Sequence, residues 1–173
     1  MSAAQPTTST RPRVVVVGGG FGGLAAAREL AGADVDVLLL DRDPYSTFQP
    51  LLYQVATGTL NPGDVIYALR SFAGRHDNIR FQRARVTGVD PAGKRVHLDS
   101  GAEVEYDYLI LAAGVTANYF GIPGAAEHAH TIYTRAEAIR VRDRFLSNLE
   151  EFAQGREHAA EPVVVVVGGV LPA

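Results

Sequence analysis

Residues 18 to 23 read Gly-Gly-Gly-Phe-Gly-Gly, so Gly18, Gly20 and Gly23 fit the spacing G-x-G-x-x-G. Glycines at that spacing do what no side chain permits. The first allows a tight turn, the second lets a diphosphate approach bare main chain, and the third lets a helix lie close to the preceding strand. Phe21 and Gly22 then stand at the opening of that helix. Free N–H groups and the helix dipole stabilise negative charge there. Asp41 follows at about the 20-residue distance from which an acidic side chain accepts the hydroxyls of an adenosine ribose. A carboxylate in that place also repels a 2′-phosphate. The chemistry indicated is a grip on a dinucleotide, with no catalytic side chain and no metal ligand among the candidates.

This reading requires a strand before the glycines and a helix after them. Val14–Val17 is a β-branched run, the pattern of a strand buried on both faces of a parallel sheet. Gly22–Ala31 is rich in Ala and Leu and closes at Gly32, which predicts a helix. Val35–Leu40 predicts a second strand, ending at Asp41. An irregular stretch follows from Arg42 to Asn61, with a short helix predicted over Leu51–Ala56 and another over Asp64–Ala73, Asp64 as its N-cap.

Ile79–Phe81, Ala84–Val89, Arg95–Leu98 and Glu103–Tyr106 are separated by turn residues and predict an antiparallel meander. Tyr108–Ala113 predicts a strand ending at Gly114. Thr134-Arg135-Ala136-Glu137 matches a capping box. Ala138, Val141, Phe145, Leu149 and Phe152 then recur at helical spacing. Val163–Val167 predicts a second buried strand before Gly168-Gly169. The predicted fold is α/β: a Rossmann-like FAD/NAD(P)-binding parallel sheet, incomplete, with an inserted antiparallel β-meander. The expected organisation is a disordered tail over 1–12, a dinucleotide-binding domain over 13–118, and a connecting helix plus one further strand over 119–173. The glycine motif alone does not separate FAD from NAD. The meander favours FAD, because a classical NAD domain continues with further βα units.

The chain has 173 residues, 47% hydrophobic and 20% charged, enough to bury a core. Its net charge of −3 argues against a nucleic-acid partner, which calls for a basic surface. With 0 cysteines, disulfides, thiolate zinc sites and a redox Cys pair are excluded. The first 12 residues lack the apolar core of a signal peptide, and no run of about 18 apolar residues occurs.

Val14–Gly23, Leu38–Arg42 and the segment Phe48-Gln49-Pro50-Leu51-Leu52-Tyr53-Gln54-Val55-Ala56-Thr57-Gly58 resemble type II NADH dehydrogenases. Tyr106–Gly114 resembles that family's second flavin-contact strand, and Tyr119–Gly124 and the helix after Thr134 are also similar. The resemblance covers about residues 13 to 169, and Phe48–Gly58 is its family-specific part.

It implies a monotopic membrane flavoenzyme that takes hydride from NADH onto FAD and passes two electrons to a quinone without pumping protons. The same resemblance implies that 13–118 is an FAD-binding domain and that 119–173 ends in the first strand of a truncated NADH-binding domain. Carried onto this chain, Gly18, Gly20, Gly23 and Asp41 hold the ADP half of FAD, with Phe21, Gly22 and Arg42 beside them. Phe48 to Leu51, Pro50 included, line the isoalloxazine. Val86 meets adenine by its backbone, and Ala113-Gly114 pass close to the pyrophosphate or ribityl chain. The resemblance also implies a cytoplasmic protein, at the cytoplasmic face of the membrane when full-length. Membrane contact would lie in the C-terminal part, and a homodimer is admitted.

The expected second dinucleotide motif reads instead Gly168-Gly169-Val170-Leu171-Pro172-Ala173, where the sequence stops. The expectation is a truncated chain without the NADH site, binding FAD weakly and inactive alone. The rival readings are a flavoprotein of the ferredoxin or sulfide:quinone reductase type, and a non-catalytic dinucleotide-binding module. His128 and His130 read as a surface loop, and Arg140, Arg142 and Arg144 as a solvated helix face.

Overall fold

The structure is a computed structural model that describes residues 10–155 and 163–166. In chain order the elements are β1 (Arg13–Val17), α1 (Phe21–Glu29), β2 (Asp36–Asp41), β3 (Tyr45–Thr47), a 3₁₀ turn (Gln49–Leu51), α2 (Leu52–Ala56), β4 (Ile66–Ala68) and α3 (Leu69–Ala73). There follow β5 (Ile79–Arg83), β6 (Val86–Asp90), β7 (Arg95–Leu98), β8 (Glu103–Glu105), β9 (Tyr108–Leu111), α4 (Ala125–His128) and α5 (Arg135–Ala153). They fall into two units, residues 1–48 with 65–118 and residues 49–64 with 119–173.

The first unit is built on a parallel sheet in the order β5-β2-β1-β9. Its valines explain themselves by alternation. Val14 and Val16 of β1 share one face with Val37, Leu39, Ile79 and Phe81, where Ala27 of α1 and Leu69, Phe72 and Ala73 of α3 cover them. Val15 and Val17 point the other way, with Leu40, against Val96 and Leu98 of β7. Helices thus close one face and the antiparallel sheet β6-β7-β8 the other. A strand buried on both sides needs apolar residues at every position. Val15, Val16, Leu39 and Leu40 are 0% exposed, and each such side chain stabilises the fold by about 1.5–3 kcal/mol.

The α/β Rossmann-like prediction therefore holds, while several elements differ in detail. The first helix ends at Glu29, and Gly32 takes a left-handed φ of +76° beyond it. The predicted helix Asp64–Ala73 is instead a strand followed by one helical turn, and Asp64 caps nothing there: its N–H donates to Asn61 O. β-Branched Ile66 and aromatic Tyr67 pair in β4 against Tyr45–Thr47 of β3.

The predicted four-strand meander loses its first member. Ile79–Arg83 lies parallel beside β2, because Ile79 and Phe81 complete the core face that α3 covers. Val163–Val166 form no strand and are 65–83% exposed, so the second buried strand is not seen there; no described strand flanks this run to bury it. The tail up to residue 9 and the glycine motif at 168–169 lie outside the described residues.

Asn78 ties the far end of the sheet. Its Nδ2 donates to Leu30 O (2.9 Å), Ala33 O (3.2 Å) and Val35 O (3.1 Å), and its Oδ1 accepts from Gly32 N–H (3.1 Å). One amide thereby fixes the whole α1–β2 loop. Removing it takes a donor from the part-buried carbonyls of Leu30, Ala33 and Val35, the first two of which keep a backbone N–H partner, at a total cost of about 1–3 kcal/mol.

In the second unit Leu52, Val55 and Ala56 of α2 are buried, and α2 packs on α5, where Ala138 is buried. The predicted capping box is present: Glu137 N–H donates to Thr134 Oγ1 (3.2 Å), and Glu137 Oε2 accepts from Thr134 N–H (2.8 Å) and Tyr133 N–H (2.9 Å). Burial alone would raise the Glu137 carboxyl, but hydrogen bonds from the Thr131 side chain and from Thr134 and Tyr133 hold it below its ordinary value of 4.5. The apolar stripe is only half covered, since Leu149 and Phe152 farther along α5 are exposed.

Two outcomes are expected. Asn78→Ala lowers the unfolding free energy by about 1–3 kcal/mol in urea titration, without changing the slope. Glu137→Gln loses about 1 kcal/mol at neutral pH. The native carboxyl titrates lower than the unfolded one, so its contribution is complete above pH 4.5 and fades as pH falls through the native value. Stability of Glu137→Gln against pH, compared with wild type, must therefore converge in acid.

Candidate functional site

The chain turns at the carboxyl end of β1, and its geometry is fixed by backbone contacts. Gly18 adopts φ +106°, and its N–H donates to Leu40 O at 2.8 Å. A Cβ there would collide with the carbonyl of Ala112, just past β9. A Cβ on Gly23 would run into the carbonyl oxygen of Gly18. Both glycines are thus demanded by the protein's own packing. Gly20 is different. It is the N-cap of α1, its φ is −81°, and a Cβ on it would meet no protein atom within 4 Å. No side chain caps this helix, and its first turn carries no acidic residue.

Asp41 ends β2 beside this turn. Its Oδ2 accepts the Gly19 N–H at 2.5 Å and its Oδ1 accepts the Asp43 N–H at 2.8 Å. An ionised carboxylate has about four lone-pair positions, so two remain for hydroxyl donors. The exposed Arg42 lies next to it, in an ion pair with Asp43 at 3.5 Å, and its carbonyl accepts from Arg83 Nε at 3.0 Å.

Most of the residues singled out in the sequence converge. Gly18, Gly20, Phe21, Gly22 and Gly23 form the turn and the helix start, with Asp41 joined to it through Gly19. Ala113 follows Ala112 against Gly18, and Gly114 turns with φ +76°. Val86 opens β6, opposite Leu98, and packs on the core behind β1 and β2. Pro50 and Leu51 lie in the 3₁₀ turn of the second unit. Two participants were not foreseen. Gly19 donates to Asp41 and packs against Leu69, and Ala112 supplies the carbonyl that confronts Gly18. The doubled glycine and the small residues before Gly114 were the available signals.

The arrangement fits the diphosphate and ribose of a dinucleotide. The evidence of fit is the open approach at Gly20, an uncapped helix start free of acidic residues, and a carboxylate at the adjacent strand end.

Residues 12–171 match the family described as pyridine nucleotide-disulphide oxidoreductase. The chain is 38% identical over 175 residues to the type II NADH:quinone oxidoreductase NdhA of Mycobacterium tuberculosis, covering 97% of this chain and 37% of that protein. Among solved structures, NDH2 from Plasmodium falciparum in complex with NADH superposes with a TM-score of 0.75 at 27% identity, over 83% of this chain and 30% of that one. The sulfide:quinone oxidoreductase of Aquifex aeolicus gives a TM-score of 0.70 at 31% identity, over 82% of this chain and 32% of that one. The chain spans about two-fifths of the length of the first curated relatives it matches.

The two kinds of glycine should separate on mutation. Gly23→Ala forces overpacking and should cost about 1–3 kcal/mol of stability. Gly20→Ala should cost less than about 1 kcal/mol, the price of a poorer N-cap. Chemical denaturation of both variants measures the difference, and equal losses would refute the assignment.

Proposed function

Since the chain belongs to the pyridine nucleotide-disulphide oxidoreductase family, we propose that it is the FAD-binding portion of a type II NADH:quinone oxidoreductase. The observation that carries this reading is the uncapped, acid-free start of α1 at Gly20, set beside the Asp41 carboxylate. In this reading the N–H groups of Phe21, Gly22 and Gly23 receive the FAD diphosphate, and the remaining lone pairs of Asp41 accept the adenosine ribose hydroxyls. Val86, Ala113 and Gly114 bound the same cofactor, while Arg42, Pro50 and Leu51 take the supporting places that the resemblance gives them. FAD, when bound, supplies the hydride and electron transfer. The chain's own part is to bind and orient it, which is why a site without an acid–base pair suffices.

NADH and a quinone are, on this proposal, substrates of a longer protein that works at the cytoplasmic face of a membrane, as a monomer or a homodimer. No helix of the described residues is long and apolar enough to cross a membrane. A second reading, a flavoprotein of the sulfide:quinone type, draws on the similarity to the Aquifex aeolicus structure. Within the part of that protein that this chain spans, the chain's 0 cysteines supply no thiol chemistry.

Titration of purified chain with FAD, followed by flavin fluorescence, should saturate. Asp41→Ala should weaken binding about 10- to 100-fold, the worth of hydrogen bonds to a charged group. Gly20→Ala should weaken it while losing less than about 1 kcal/mol of stability. A chain that takes up no FAD would sink the proposal.

A further inference from the structure

Two phenyl rings stand where burial alone would not put them. Phe21 is the first residue of α1, directly after the open Gly20, and is 53% exposed. Phe48 is 48% exposed and meets it edge to face, with ring centroids 5.5 Å apart and planes at 87°. They come from distant parts of the sequence, and the ribbon β3-β4 brings them together. Pro44 O accepts the Leu69 N–H at 3.0 Å at one end of the ribbon, and Phe48 N–H donates to Val65 O at 2.7 Å at the other. Between these clamps β3 and β4 pair residue by residue, Thr47 opposite Ile66. Phe48 is therefore held at a fixed point beside the start of α1, although it buries only about half of its surface.

A contact of that kind contributes little to folding. An edge-to-face pair is worth about 0.5–1.5 kcal/mol beyond the area it buries. Such a contact can open and close without unfolding the sheet. It also sits on the residue whose N–H is the first free donor of α1, so opening it alters access to that donor.

We propose that Phe21 and Phe48 form an aromatic latch: the ring contact braces the first turn of α1 and slows release of a dinucleotide diphosphate held at Gly20. The inference rests on the dinucleotide-binding reading above and gives the rings of Phe21 and Phe48, two residues already set beside the cofactor, a positioning role through their mutual contact. Phe48 acts through Phe21 in this role, and both act on the rate of escape.

The test is the FAD dissociation rate of the purified chain, measured by stopped-flow chase, for wild type, Phe21→Leu, Phe48→Leu and the double variant. Leucine keeps apolar bulk and removes the ring edge, so folding should survive; melting of the cofactor-free chain checks this. Each single variant should release FAD about 2- to 10-fold faster, the equivalent of one aromatic pair. The double variant should be no faster than the singles, because either change breaks the same contact. Phe48→Tyr, which retains the ring, should restore the wild-type rate.

Wild type that binds FAD, with single variants releasing it at the wild-type rate or with effects that multiply in the double variant, would overturn the latch and leave the function standing. Wild type that binds no FAD would overturn both. Should a leucine variant melt early, Phe48→Tyr and the double variant against the singles still decide.

Discussion

The carbonyl of Gly18 faces the α-carbon of Gly23 so closely that no side chain fits between them. That approach sets how near α1 lies to β1, and the near approach brings the start of the helix to the carboxyl end of the sheet. The same turn is pressed from its other side by the Ala112 carbonyl. A backbone confined by two carbonyls has little freedom, so the N–H groups that follow are aimed before any ligand arrives. Preorganisation of this sort is what makes a helix start an anion site rather than a frayed end.

The Asp41 carboxylate depends on that constraint. It reaches back to the Gly19 N–H and so couples the end of β2 to the turn after β1. The pairing of β1 with β2, Val17 opposite Leu40, fixes the offset between these two groups. A slip of one residue would move Asp41 to the opposite face and expose Leu40. Core and site are thus the same structure seen at two places along the strands: the alternation that buries Val14 to Val17 also delivers the turn and the carboxylate to one end.

The double-sided burial explains why the antiparallel sheet is an insertion in sequence and a layer in space. Val96 and Leu98 cover what would be a bare face of β1 and β2. A sheet with helices on one side only would leave Val15, Val17 and Leu40 in water. This chain, a member of the pyridine nucleotide-disulphide oxidoreductase family, joins that layer to the glycine turn in one unit. In the proposed function, the meander and the glycines therefore serve one purpose, a rigid platform for a cofactor that carries the chemistry.

The residues alone determined the strand, turn and helix around Gly18–Gly23, the strand ending at Asp41, and the capped helix after Thr134. Each is a local matter: β-branched runs, glycine spacing and a Thr/Glu cap act within a few residues. Partnership was beyond their reach. Ile79–Arg83 has the same strand pattern in a meander or a parallel sheet, and only the core face completed by Phe81 assigned it to the latter. Ile66 and Tyr67 joined a ribbon instead of a helix because Tyr45–Thr47 lay across from them. Val163–Val166 reads as a buried strand in one dimension, yet among the described residues it pairs with no strand and stays largely exposed. Apolar pattern says that a segment must be covered; which neighbour covers it is decided by long-range packing, and there the tertiary structure had the final word.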